Sequence, residues 1–114
     1  MFDDVASSAL RVALDGLAVR QKAIANNIAN VQTPGFRAQK VQFEQALQSA
    51  LANGTPLGQV RPNVASSLEP TRLDGNNVNL DEETLSNIDT GLRYQLTLRA
   101  LDSKYTQLHD VIKG

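Results

Sequence analysis

The chain has 114 residues, 41% of them hydrophobic but only 4% aromatic, and a formal net charge of -1. That bounds it to one domain with a modest core, and its scattered Lys and Arg residues offer no basic face for a nucleic-acid backbone. No cysteine is present for a disulfide or thiolate-metal framework, and acids near the N-terminus with no apolar run approaching the ~18 residues of a membrane span exclude a secretory leader and a transmembrane helix from the expectations.

The first predicted element is a helix from about Asp3 or Asp4 to Asn30. Leu10, Leu14, Leu17, Gln21, Ile24, Ile28 and Val31 advance in alternating steps of four and three, the seam of a heptad helix with one polar guest. Val5, Val12 and Val19 fall on the opposite side, followed there by Asn26 and Asn30. The helix closes with "ANNIANVQTPGF", residues 25–36. Asparagine amides compete with the helix for backbone groups, so Asn26, Asn27 and Asn30 are costly in a helix interior. They read either as solvated residues fraying a helix end or, at Asn26 and Asn30, as polar contacts that fix register against a neighbouring chain. Thr33, preceding proline, is pushed out of the helical region, and Pro34-Gly35 suits the centre of a type II turn. The helix is thus expected to end near Val31 or Gln32, with Phe36 folding back as an apolar plug.

A short helix is expected across residues 41–53, where Val41, Leu47 and Leu51 share a face near Phe43 and Ala50. Residues 53–79 hold three of the four prolines and three of the seven glycines without a sustained period, and read as a loop or extended linker.

The last predicted helix spans residues 79–113. It opens on "NLDEETL", with Asn79 or Asp81 as N-cap and Asp81, Glu82 and Glu83 beside the positive end of the helix dipole. Tyr94, Leu98, Leu101, Tyr105, Leu108 and Ile112 form its heptad seam, while Leu85, Ile88, Leu92 and Leu96 line a stripe on nearly the opposite side. The expected fold is mainly α: long N- and C-terminal helices paired as a coiled coil around an irregular Pro/Gly-containing middle. The whole is one unit divided at 1–32, 33–78 and 79–113. Two helices with two apolar faces each cannot bury them all against one another, so an assembly interface is expected. A monomeric bundle needs the middle helix to cover the remainder.

Chemistry finds little footing. The single histidine, His109, sits beside Asp110 near a helix end, with Asp102 seven residues away. The run Asp81–Glu83 suits a helix dipole, and "DGNN" lacks the spaced oxygens of a calcium loop. No catalytic, cofactor or metal site is expected, and no small-molecule substrate.

The segment "ANNIANVQTPGF" resembles the N-terminal signature of bacterial flagellar axial proteins, the family that builds rod and hook, at Ala25, Asn26, Asn27, Ala29, Asn30, Thr33, Gly35 and Phe36. "DGNNVNLDEE" at residues 74–83 and "LRYQ" at residues 92–95 are similar to the proximal-rod members, which lack the additional β domains of hook and distal rod proteins. "YQLT" at residues 94–97 departs from the "YQAN"-like continuation of several other rod members.

The resemblance implies a structural subunit whose paired helices stack into a tube and carry torque from the motor ring to the distal rod and hook. It implies as partners further copies of the chain, other rod proteins, the rod-to-ring adaptor, and the MS ring with its export gate. It also implies passage through the flagellar type III export channel to the periplasmic space without a cleaved signal. "FEQAL" resembles an export-gate recognition motif at Phe43 and Leu47, a pair that equally suits simple packing. The reading from another class is a small helical adaptor or chaperone of a type III export system, which would need neither the asparagine-rich helix end nor the turn after it.

Overall fold

The computed structural model describes residues 4–113, apart from the side chains at 108, 111 and 113. The elements in order are α1 (Val5–Ala29), β1 (Gln39–Gln42), α2 (Glu44–Asn53), a 3-10 turn (Leu57–Gln59), β2 (Asn63–Ser66) and α3 (Leu80–Lys113).

Helix α1 starts where Asp4 accepts a hydrogen bond from Ser7 N–H at 2.7 Å, supplying the acceptor that a free helix start lacks. It stops at Ala29, slightly before the expected end, because Asn30 closes the last turn with its N–H on the carbonyls of Asn26 and Asn27. The predicted turn follows: Gly35 has φ +78° and Phe36 N–H returns to Thr33 O at 3.2 Å. Phe36 is half-buried. At the other end of the chain Asn79 caps α3, accepting from Glu82 N–H at 3.2 Å, with the three acids in the first turn as expected.

Helix α3 runs back antiparallel along α1. Lys104 pairs with Asp4 at 2.9 Å near one end, and Gly91 lies beside Gln21 further along. The predicted seam needs correction at two positions of α3, Leu98 and Ile112. Leu17 and Ile24 are buried and Leu10, Leu14, Ile28 and Val31 half-buried, but of the α3 seam residues whose side chains are described only Leu101 is buried, with Tyr94 and Tyr105 half-buried. Leu98 and Ile112 are 40% and 62% exposed, and the Leu108 side chain lies outside the described residues. Before the predicted seam begins at Tyr94, the same inward face is polar and small, with Glu83 and Thr90 buried and Ser86 half-buried. Seen down the helix, Leu85, Ile88, Leu92 and Leu96 lie on the side opposite Glu83, Thr90 and Leu101.

The middle of the chain also departs from expectation. The helix begins at Glu44 rather than at Val41, because Val41 and Gln42 belong to β1, and β2 lies within the segment read as structureless. The strands pair antiparallel, with Gln39 opposite Ser66 and Val41 opposite Val64. Phe43 stands at the N-cap of α2, its ring against Gly16 of α1 and 3% exposed. A left-handed Gly54, φ +68°, ends α2. The core gathers Leu17, Ile24, Val41, Phe43, Val78 and Leu101. Helix α2 covers part of α1 and leaves the outer face of α3 open.

Candidate functional site: an asparagine junction and an uncovered helix face

The two asparagine motifs that are separate in sequence meet in space. From α1, Asn27 is fully buried; its amide donates to Gln39 O at 3.0 Å and its carbonyl accepts from Gln39 N–H at 2.8 Å. The side chain thus closes the outer edge of β1 as a neighbouring strand would. Two residues on, Val41 O accepts from the Arg20 guanidinium at 2.7 Å, so the same helix continues that edge closure.

Asn30 turns its amide onto Asn26 O at 2.8 Å and accepts from the Thr33 hydroxyl at 3.0 Å, locking the turn. These are bonds within the chain. Asn26 is exposed; its amide donates to Gln39 Oε1 at 3.3 Å and its Oδ1 accepts from the Asn30 amide at 3.1 Å.

From the segment before α3, Asn76 is also fully buried. Its amide donates to Asn30 O and Thr33 O, both at 2.8 Å, and its carbonyl accepts from Val78 N–H at 2.7 Å. Asn77 accepts from Ala38 N–H at 2.7 Å and donates to Ser67 O at 3.2 Å, bridging the two strands where they end. Gly35 N–H donates to Asp74 O at 2.8 Å, and a Cβ on Gly75, φ +85°, would stand 3.3 Å from Gly35 Cα. Arg72 closes the knot on the carbonyls of Val31 and Val78. The end of α1 and the start of α3 are therefore tied by amides that satisfy backbone groups the helix ends leave open. Of the signature residues, Asn27, Asn30, Thr33 and Gly35 take part directly; Ala25 and Ala29 are exposed. Sequence reasoning named Asn27 as a signature residue but gave the polar contacts to Asn26 and Asn30, and it quoted Asn76 within "DGNN" without a role; the doubled "NN" in both segments was the shared signal.

The second feature is what the fold leaves bare. Leu85, Ile88, Leu92 and Leu96 are 56–68% exposed in one stripe along α3. An exposed apolar row of this extent is the kind of surface that proteins use for association. Phe43, in contrast, is buried against Gly16, and Leu47 half-buried one turn into α2. Arg20 spans the Phe43 ring at 5.1 Å and pairs with Glu44 through two bonds of 2.6 and 2.7 Å. His109 and Asp110 are exposed and 4.0 Å apart. Among the described residues no group of His, Cys, Asp or Glu could hold a metal ion, and no helix is long and apolar enough to cross a membrane.

Residues 4–37 match the family described as "Flagella basal body rod protein", a span that takes in α1 and the turn after it. The chain is 33% identical to the flagellar basal body rod protein FlgB of Borrelia hermsii, over 88% of this chain and 90% of that one. It is 32% identical to FlgB of Aeromonas hydrophila over 83% of each chain. To FlgB of Salmonella typhimurium it is 30% identical, over 90% of this chain and 88% of that one.

Proposed function

The chain belongs to the flagellar basal body rod protein family, a structural family without enzyme activity, and from that we propose that it is a subunit of the proximal rod that polymerises through its terminal helices. The observation that carries this reading is the leucine stripe of α3, turned away from its own chain. A helix with its small polar face inward and its large apolar face outward is stabilised fully only when a neighbour covers it.

In this reading the whole chain acts as one unit, a segment of a tube that transmits torque from the motor ring to the distal rod and hook. Its partners are further copies, the other rod proteins, the rod-to-ring adaptor, and the MS ring with its export gate. The asparagine junction serves this role by fixing the two helices relative to each other, so that load on one passes to the other through short buried bonds. In the same reading the subunit crosses the inner membrane by the flagellar export route and takes its place in the periplasmic rod. Phe43 and Leu47 would present the gate motif before folding, since Phe43 is buried afterwards.

Location tests the reading. An epitope-tagged chain should co-purify with isolated basal bodies, and its deletion should leave rings without a rod. A tagged chain that stays in the cytoplasm while rods form normally would favour an adaptor or chaperone instead.

A further inference from the structure

Two surfaces of the fold, one open and one partly covered, complement one another. One is the α3 ridge, Leu85 to Leu96. The other is a partly covered strip of α1 on the side opposite its leucine seam, where Val5 is exposed and Val12 and Val19, half-buried at the edge of the cover that Phe43 gives Gly16, follow at seven-residue steps; beside Val5 and Val12 a groove is walled by Leu51 and Leu57. Leu85 and Leu92 repeat the same seven-residue step. Charges flank both rows. Asp81 and Glu82 precede the ridge and Lys22 follows the valines, all exposed, and none has an ion-pair partner among the described residues.

Resting on the rod-subunit reading, we propose that the α3 ridge of one copy seats on the valine row of α1 in a second copy. The two helices are antiparallel, as they must be when copies point the same way. The register that sets Leu85 opposite Val19 and Leu92 opposite Val12 brings Leu96 over Ser8 and lays Lys22 against Asp81 and Glu82. Opposite signs thus meet where the apolar rows end, and unpaired charge fixes the register that leucines alone would leave free to slip by a heptad. Asp15 falls beside Asp89, with the guanidinium of Arg93, already paired to Asp89 at 2.9 Å, one turn away. Ridge and groove lie on different helices, so each contact leaves one of each unused. The interface is heterologous and continues from copy to copy, as a filament requires and a closed dimer does not.

The cysteine-free chain gives a direct test. Val12→Cys and Leu92→Cys together, in basal bodies isolated from cells and mildly oxidised, should yield a ladder of covalent oligomers; Val12→Cys with Leu85→Cys, one heptad off, should not. In parallel, Lys22→Glu should abolish rods, and adding Asp81→Lys and Glu82→Lys should restore them. No ladder from Val12→Cys/Leu92→Cys in basal bodies that contain the chain, an equal ladder from the off-register pair, or no rescue by the reversed charges overturns the register. Absence of the wild-type chain from basal bodies is a different result and overturns the rod reading beneath it.

Discussion

Asn27 holds Gln39 by both of its backbone groups, at 2.8 and 3.0 Å, so that a helix side chain takes the place of a β-strand. The relationship explains why a residue unfavourable to helices occupies the middle of one, and it separates Asn27 from its neighbour. Asn27→Ala removes two hydrogen bonds from a fully buried site and should cost ~2–4 kcal/mol. Asn26→Ala, at an exposed position, should change stability by no more than about 0.5 kcal/mol while raising helix propensity. Urea titrations of the two variants, with the slope of the transition unchanged, check the contrast. Equal midpoints would show that the Gln39 contact contributes nothing.

Gly16 has no side chain because Phe43 occupies the space. A Cβ there would meet three ring atoms at 2.4, 2.5 and 2.6 Å. Gly16→Ala gains about 1 kcal/mol of helix propensity but must expel the ring, losing its burial and its contact with Arg20; the net result should be a destabilisation of ~1–3 kcal/mol. In a Phe43→Ala background the same substitution should change sign and stabilise by up to about 1 kcal/mol, because only the propensity gain remains. A double-mutant cycle by thermal or chemical unfolding measures this coupling. Additive effects would place the ring elsewhere.

Acid should loosen the attachment of α2. The Arg20 hydrogen bonds hold the Glu44 carboxyl at about 2, against an ordinary value of 4.5. A carboxyl depressed by folding stabilises the native state above its unfolded value, and that contribution is lost as pH falls from about 4.5 to about 2. Because the Glu44 side chain is 48% exposed, solvent screening limits the effect to about 1 kcal/mol or less. Asp4, held below the usual carboxylate range by Lys104 and Ser7, loses its contribution in the same acid direction. Melting temperature followed from pH 6 to pH 2, a range of about four units, should fall less steeply for Glu44→Gln than for the parent. Parallel curves would remove the Arg20–Glu44 pair from the account.

The helices were legible in the sequence because their caps and heptad steps are local. The turn at Thr33–Phe36 was legible for the same reason, since Pro34 and Gly35 dictate it without reference to distant residues. The sheet was not. Each strand has four residues, "QKVQ" and "NVAS", too short for alternation to stand out, and their partners are separated by the whole of α2. The direction of α3 was legible, since Leu101, Tyr94 and Tyr105 do face inward and Leu85, Ile88, Leu92 and Leu96 outward; the depth of burial along the seam was not. Periodicity reports which residues share a face but not how far a partner covers it: Lys104 already stands at Asp4, and Leu98 and Ile112 are left 40% and 62% exposed. The role of Asn27 was hidden because it depends on β1 arriving from a dozen residues away.

The central claim is that the outward face of α3 builds the rod. Ile88→Gln together with Leu92→Gln changes two side chains that are 64% and 56% exposed, so the isolated chain should keep its stability to within about 1 kcal/mol. Electron microscopy of basal bodies from cells carrying only this variant measures the claim most directly. The account predicts a folded, expressed subunit and rings that lack a rod. Complete rods and normal swimming from the same cells would contradict it.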